Sequence, residues 1–476
     1  MPRITPRNSP GATAGTTPGG RAGPRARAAR VALTIAGSAV GLAVTVVLVL
    51  VGVAAAGLSR PAEPVVAPLR TPFEGGHLLV ASDVDMVGTA YADGVLRQLP
   101  GERDALTVVE LPWDGSAGAA TALTVPNAVT SWPDVVAAAP GGERAYVVET
   151  DAAPPPGTER LAVTDFPPGS RLTVVDLAAD RPQVLDEVRI GERPLTLDVS
   201  PDGSLLAVGF PGGRVGLFPT GDLAAGDTVT LRSAAGEPVA EAASVTWHPS
   251  GEFLAVGLGL GEVTLHRVAR DTGGAVALTR HGAPLVTGDT LAAGRFTPDG
   301  DHYVTTDIRW DTVPRPLGQL VNPRGRLLVT EVDVSPAAAH RVTARVPVGQ
   351  SPEGITLSPD GRFAVTVDMR RTYLPGSLAW WPGTGTNQLT LVELAPDGSA
   401  ELRGEYAFDG VLPEDAVVDV AGDTVAVTVF HDREAEPRTG RVELWNLVTD
   451  DGPARLEATA AALETPRGPH SLWATP

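Results

Sequence analysis

The sequence predicts an all-β chain: a seven-bladed β-propeller closed by its own C-terminal strand and preceded by one transmembrane helix. Three observations lead there. Leu195–Gly209, Ser244–Gly257, Ala292–Asp307 and Ile355–Asp368 repeat one pattern, an apolar alternation, a Pro-x-Gly turn and a second alternation. Ser471–Ala474, after Gly468-Pro469-His470, carries the pattern of a first strand with no blade of its own. Val31–Leu58 is an uncharged apolar run.

The repeated turns are Ser200-Pro201-Asp202-Gly203, His248-Pro249-Ser250-Gly251, Thr297-Pro298-Asp299-Gly300 and Ser358-Pro359-Asp360-Gly361. Proline sets φ, aspartate bonds its own backbone and glycine accepts positive φ, which is hairpin chemistry. Self-similarity at this spacing marks a repeat architecture. Val135–Glu149 and Ala416–Val429 are weaker fifth and sixth copies. Third strands such as Leu172–Leu177 and Leu389–Leu394 follow, then fourth strands such as Val342–Val348, and four antiparallel strands make a blade. His77–Asp83, Ala105–Leu111 and Ala122–Val125 read as strands two to four of a blade whose first strand is Ser471–Ala474. Pairing the two chain ends removes an exposed sheet edge.

The apolar run of about 28 residues, at roughly 1.5 Å per residue, is long enough for a hydrocarbon core of about 30 Å. Arg3, Arg7, Arg21, Arg25, Arg27 and Arg30 precede it, which places the N-terminus in the cytoplasm and the rest outside. A cleaved signal peptide is the rival reading, favoured by the small residues Val53–Gly57, although signal cores run only about 7–15 residues. The expected domains are a disordered basic cytoplasmic tail (1–30), a single-pass cell-membrane anchor (31–58), a Pro-rich spacer (59–73) and an extracytoplasmic propeller (74–476).

Composition excludes several chemistries. The net charge is −19, and the arginines of the head leave the remainder more negative still, so nucleic acid is not an expected partner. With no lysine there is no Walker-A loop and no Schiff base; with no cysteine there is no thiolate nucleophile, cysteine-bound zinc or disulfide.

The Ser-Pro-Asp-Gly turns, Ala145-Tyr146-Val147-Val148 and Val346–Gly354 resemble the seven-bladed propellers with YVTN-type repeats, a group that includes lactonase-like proteins. The resemblance covers roughly residues 74–476. Leu206–Gly209, Leu254–Gly257 and Leu444-Trp445-Asn446 look equally like WD-repeat blades, but the Gly-His and Trp-Asp dipeptides of that family are missing. The fold so implied hosts both enzymes and inert scaffolds.

Candidate sites come from aligning the repeats. Asp83, Glu149, Asp307 and Asp368 share the end of strand two, each before a long loop: Asp85–Arg103, Asp151–Gly169, Arg309–Arg324 and Met369–Thr386, with His431–Thr439 a fifth. Long loops in a compact domain are commonly functional, yet aspartate also starts loops simply by bonding local backbone. Phe166, Trp310, Tyr373, Trp380 and Trp381 lie in these loops, where aromatics either meet a ligand or pin the loop down. Glu353, Glu414, His470 and Asp134 align at the entry to first strands of successive blades, at the mouth of the central channel, where the resembled family often has Pro-His-Gly. Carboxylates and an imidazole converging there suit general acid–base catalysis, or a divalent cation on Glu353, Glu414 and His470; a hydrated channel lining is the plainer reading. Asp83–Gly88 partly matches a calcium loop but lacks its closing glutamate.

The leading expectation is a non-enzymatic binding or scaffold propeller that meets an extracytoplasmic protein, peptide or glycan through the long loops. The alternative is a lactonase-like hydrolase using the channel-mouth carboxylates and His470.

Overall fold

In the computed structural model, the structure describes residues 44–116, 120–270, 276–310, 317–434, 436–450 and 452–476. Two units separate, Met1–Gly52 and Val53–Pro476. Residues 44–56 are helical, and among the described residues no helix is long and apolar enough to cross a membrane. The expected tail and residues 31–43 of the expected anchor lie outside the described residues.

From residue 53 onward the described strands form seven sheets, one per expected blade. Blade one pairs the strand Pro469–Ala474 with His77–Ser82, then Ala105–Glu110 and Ala120–Thr124. Blades two to seven begin at Val136, Thr196, Ala242, Leu291, Pro352 and Ala416, each running inner to outer in chain order. Blade four carries an additional short strand, Val286–Thr287, which was not expected.

The repeated turn does two jobs. Its first hydroxyl closes the hairpin: Ser200 Oγ donates to Asp202 Oδ1 at 2.6 Å and accepts from Leu205 N at 2.9 Å, as Ser358 does with Asp360 and Phe363. Its glycine also sits on the turn proline of the preceding blade, Gly203 on Pro140, Gly251 on Pro201, Gly361 on Pro298 and Gly422 on Pro359. At Gly361, with φ of +70°, a Cβ would come within 2.9 Å of Pro298 Cδ. Glycine is therefore required there for both conformation and stacking.

Strand alternation sends side chains to both faces of every blade, so the core is a ring of inter-blade layers rather than one central cluster. Leu78, Val80 and Leu472 pack toward blade seven with Ala426 and Leu444. Leu79, Leu106 and Val108 pack toward blade two with Val136 and Val147. Trp473 contacts the apolar layers on the blade-two side. The closing strand is also held by polar bonds, Leu472 N to Asp415 Oδ2 and Ser471 Oγ to Pro133 O, both 2.7 Å. Gly468 leads into it at φ +87°, where a Cβ would fall 1.8 Å from Asp83 O.

Residues 59–73, expected as a spacer, lie against the outer strands. Ala62 bonds the Glu405–Ala407 backbone of blade six, and Val65 and Ala67 bond Ala458 of blade seven. Arg70 N donates to Asn446 Oδ1 at 2.9 Å. The outermost strand of a blade presents unpaired backbone groups, and this segment satisfies part of that edge.

Leu472→Ala should lower unfolding stability by about 2–5 kcal/mol, the usual range for a buried leucine cut to alanine, as read by urea denaturation. Deleting residues 468–476 should give an aggregating or much lower-melting protein. A chain ending at Arg467 that stays monomeric and melts like the full chain would mean that the ring is closed in another way.

Candidate functional site

Five long loops cover one end of the propeller and are tied edge to edge. Blade six reaches blade five through Tyr373 OH to Gln319 O (2.7 Å) and Trp381 Nε1 to Leu320 O (2.8 Å). Arg371, fully buried, donates to Asn322 Oδ1 and O. Arg433 of blade seven donates to Thr384 O and Thr372 O of blade six. Gly88 N of blade one donates to His431 Nε2 at 3.0 Å, and burial drives the His431 imidazole down to about 4, keeping it the neutral acceptor this bond requires. Leu161 N to Gly94 O joins blades one and two. Blades three and four have only tight turns at Gly212 and Gly259, so the cover is lowest beside them.

Beneath this cover lies a cavity of about 190 Å³ lined by residues of all seven blades and the segments that lead into them. Glu353 and Glu414 line it, with Tyr91, Trp132, Trp310 and Tyr373 as aromatic walls and Glu241, Leu195 and Leu260 from the low side. Glu414 is 1% exposed, and its Oε2 has no hydrogen-bond partner among the described residues. Burial pushes the Glu353 carboxyl up to about 8. Burial, reinforced by the Glu353, Asp83 and Asp415 charges, holds Glu414 well above the carboxylate range. Glu414 and Glu353 also add to burial in raising the Tyr91 phenol, which marks the closeness of all three.

The four aligned channel-mouth residues therefore separate. Glu353 and Glu414 meet at the cavity. Asp134 instead forms a two-pronged ion pair with Arg295 of blade five, Nη2 to Oδ1 at 2.6 Å and Nη1 to Oδ2 at 3.2 Å, across the ring of inner strands. Burial opposes the Arg295 charge, but Asp134, Asp415 and Asp198 together keep it protonated. His470 is wholly buried, and its Nε2 bonds Asn127 Oδ1 at 2.8 Å. Since Asn127 Nδ2 donates to Val125 O and Ser82 O, its Oδ1 accepts, and His470 Nε2 carries the proton. Burial lowers the imidazole to about 3, so it stays neutral. The expected cation set of Glu353, Glu414 and His470 does not converge: equal register brings equal depth, whereas each side chain takes the partner its own blade offers.

Of the carboxylates ending strand two, Glu149 pairs with Arg171 (2.9 and 2.6 Å). Asp307 accepts from Thr290 N and Arg309 N. Asp368 accepts from Gly349 N, Thr366 Oγ1 and Thr390 Oγ1, and burial raises it to about 7. Their oxygens anchor loop ends to the blade. Phe166, Tyr373 and Trp381 are buried and Trp310 is half-buried, whereas Trp380 is 61% exposed.

Asp83 belongs to another cluster. Its ligand atom and those of Asp85 and Asp104 lie within 4.8 Å of one another, the one such grouping among the described residues. Burial raises Asp83 to about 6 and Asp85 to about 8, and the fully buried Arg467 stands close enough to oppose both shifts. Hard oxygen donors of this kind suit calcium or magnesium.

Sequence reasoning missed Asp104, Tyr91, Trp132, Arg295 and Arg467. Arg295 had a signal, a charge inside an otherwise apolar innermost strand. Asp104, Tyr91 and Arg467 had none, because loop folding alone brings them in.

No protein-family model matches the chain, and no curated protein matches it in sequence. Solved structures do resemble it. A candidate 6-phosphogluconolactonase from Bacteroides uniformis aligns at 12% identity and TM-score 0.55, covering 84% of this chain and 99% of that one. A periplasmic gluconolactonase from Pseudomonas aeruginosa aligns at 16% identity and TM-score 0.50, with the same coverage. A functionally unknown protein from Desulfotomaculum acetoxidans aligns at 10% and 0.52. The chain is thus a seven-bladed propeller that shares its fold with these solved structures.

Asp85, Glu353, Asp198 and Asp368 have folded values of about 7–8, against about 4 when unfolded. A raised acid favours the folded state fully below its unfolded value, and that contribution is lost as pH rises through the folded one. The buried histidines, depressed to about 3–4, act only below their unfolded value of about 6.5. The melting temperature should therefore fall between about pH 6.5 and 8.5. A flat or rising profile in differential scanning calorimetry would contradict these assignments.

Proposed function

We propose that the protein is a lactonase-like hydrolase whose reaction takes place in the cavity beneath the loop cover. One observation carries the reading: two buried carboxyl groups, one with an oxygen unpartnered among the described residues, line a half-open, aromatic-walled cavity. Two interacting acids titrate as a unit, and this pair loses its first proton near pH 8. In the singly protonated form one glutamate is a general base and the other a general acid. The base takes a proton from water as its oxygen bonds the ester carbonyl carbon. The acid then protonates the departing ring oxygen as the C–O bond breaks, giving a hydroxy acid. The fold shared with the gluconolactonase structures supports the same class, although fold alone does not decide activity.

Glu353→Gln and Glu414→Gln should each lower kcat/KM for a lactone by about 10²–10⁴ while leaving the protein folded. The wild-type rate should rise with pH through about 8. Unchanged turnover in both variants would sink the hydrolase. The binding-scaffold reading keeps one supporting feature, exposed Trp380 at the tip of the blade-six loop.

We also propose that the propeller is displayed outside the cell membrane on an uncleaved N-terminal anchor. The arginine-rich head before Val31 and the uncharged run to Leu58 support this. Protease added to intact cells should digest the propeller, and protection of residues 74–476 would overturn the orientation.

A further inference from the structure

The charge of the cavity wall narrows what can enter. Among the described residues, its lining has the buried carboxyl groups Glu353 and Glu414 and no arginine or histidine. The guanidinium that Arg295 brings to the channel is occupied by Asp134. An anionic guest would meet the Glu353 and Glu414 carboxyls, and no described lining residue offers it a base. The polar tips of three aromatic walls are tied to protein: Tyr91 OH to Val129 O, Tyr373 OH to Gln319 O, and Trp310 Nε1 to Ser351 Oγ. Their carbon surface is what remains for a guest. A buried carboxylate oxygen without a partner among the described residues, Glu414 Oε2, is costly unless something cationic or protonated meets it.

We propose that this cavity recognises an organic ammonium group, held between the Glu353–Glu414 pair and the aromatic walls. The inference deepens the hydrolase reading, making the substrate a lactone that bears a cationic amine, but the binding step stands without the chemistry. Aromatic faces and carboxylates together are the recognised surroundings of alkylated ammonium ions. Bare calcium or magnesium fits less well, because such ions take six or more oxygen ligands and this wall is largely carbon. The volume of about 190 Å³ leaves room for a guest much larger than one water, which needs about 10–15 Å³ on the same measure. The charges that act on Glu414, from Glu353, Asp83 and Asp415, are all acidic, so a cationic guest relieves repulsion there. Binding must then release a proton from the pair, and affinity rises with pH until the pair is ionised.

The test is calorimetric titration of the full chain in detergent with choline, its uncharged isostere 3,3-dimethylbutanol, and calcium chloride, at pH 6 and pH 8.5. Choline is expected to bind at least about tenfold more tightly than the isostere, a difference of about 1.4 kcal/mol, and more tightly at pH 8.5. Glu414→Gln should abolish that preference. Trp132→Leu should weaken choline several-fold with the isostere unchanged, which keeps the test sound if the glutamine variant fails to fold. Equal affinity for choline and isostere, no change in Trp132→Leu, or calcium bound in place of choline would overturn the proposal. Turnover of an uncharged lactone without choline binding would remove this inference and leave the hydrolase. Choline binding with no turnover of charged or uncharged lactones would do the reverse.

Discussion

Each blade of this protein is apolar on both faces, and the rest of the structure follows from that constraint. A sheet with two faces to bury cannot stop at an end, so the blades must continue until the last meets the first. The strand Pro469–Ala474 makes that meeting from the far end of the chain, pairing Leu472 with Val80 and Trp473 with Leu79. Its side chains serve the layers on both sides of blade one. The turn glycines stacked on neighbouring prolines repeat the same contact around the rim, which is why one short motif recurs where strand sequences vary.

Closing a ring of inner strands encloses polar groups at the centre, and there electrostatics takes over from packing. Arg295 gathers Asp134, Asp198 and Asp415, and a buried cation so surrounded keeps its charge. Among the described residues Glu353 and Glu414 have no such partner, and burial raises both. The contrast divides one channel into a satisfied part, which holds blades two and five together, and an unsatisfied part under the loops. Perturbed carboxyls beside a cavity are the usual mark of a working site, and their cost to stability is of the kind that function retains.

The loop cover shows how such a site is kept rigid without regular structure. Buried Arg371 and Arg467 donate to carbonyls of neighbouring loops, with few carboxylates involved. Burial lowers both toward about 10, so they remain charged, and multidentate bonding to backbone oxygens offsets part of their desolvation. Most loop aromatics are buried in this framework, where they pin the loops together rather than form a broad outer surface.

The sequence alone determined the blade count, the turn chemistry, the closing strand and the inward level of Glu353, Glu414, Asp134 and His470. These are local, periodic properties: strand alternation and Pro-x-Gly turns repeat with the chain and can be counted along it. Only the tertiary structure decided that two of those four share a cavity, that Asp134 belongs to Arg295 and His470 to Asn127, and that residues 59–73 bind the outer edges of blades six and seven. It also brought Tyr91, Trp132 and Asp104 to their clusters from segments with no repeat to align. The physical reason is that burial and charge pairing depend on which groups meet across the ring, and those partners, such as Asp134 and Arg295, stand far apart in the chain with no periodic relation between them.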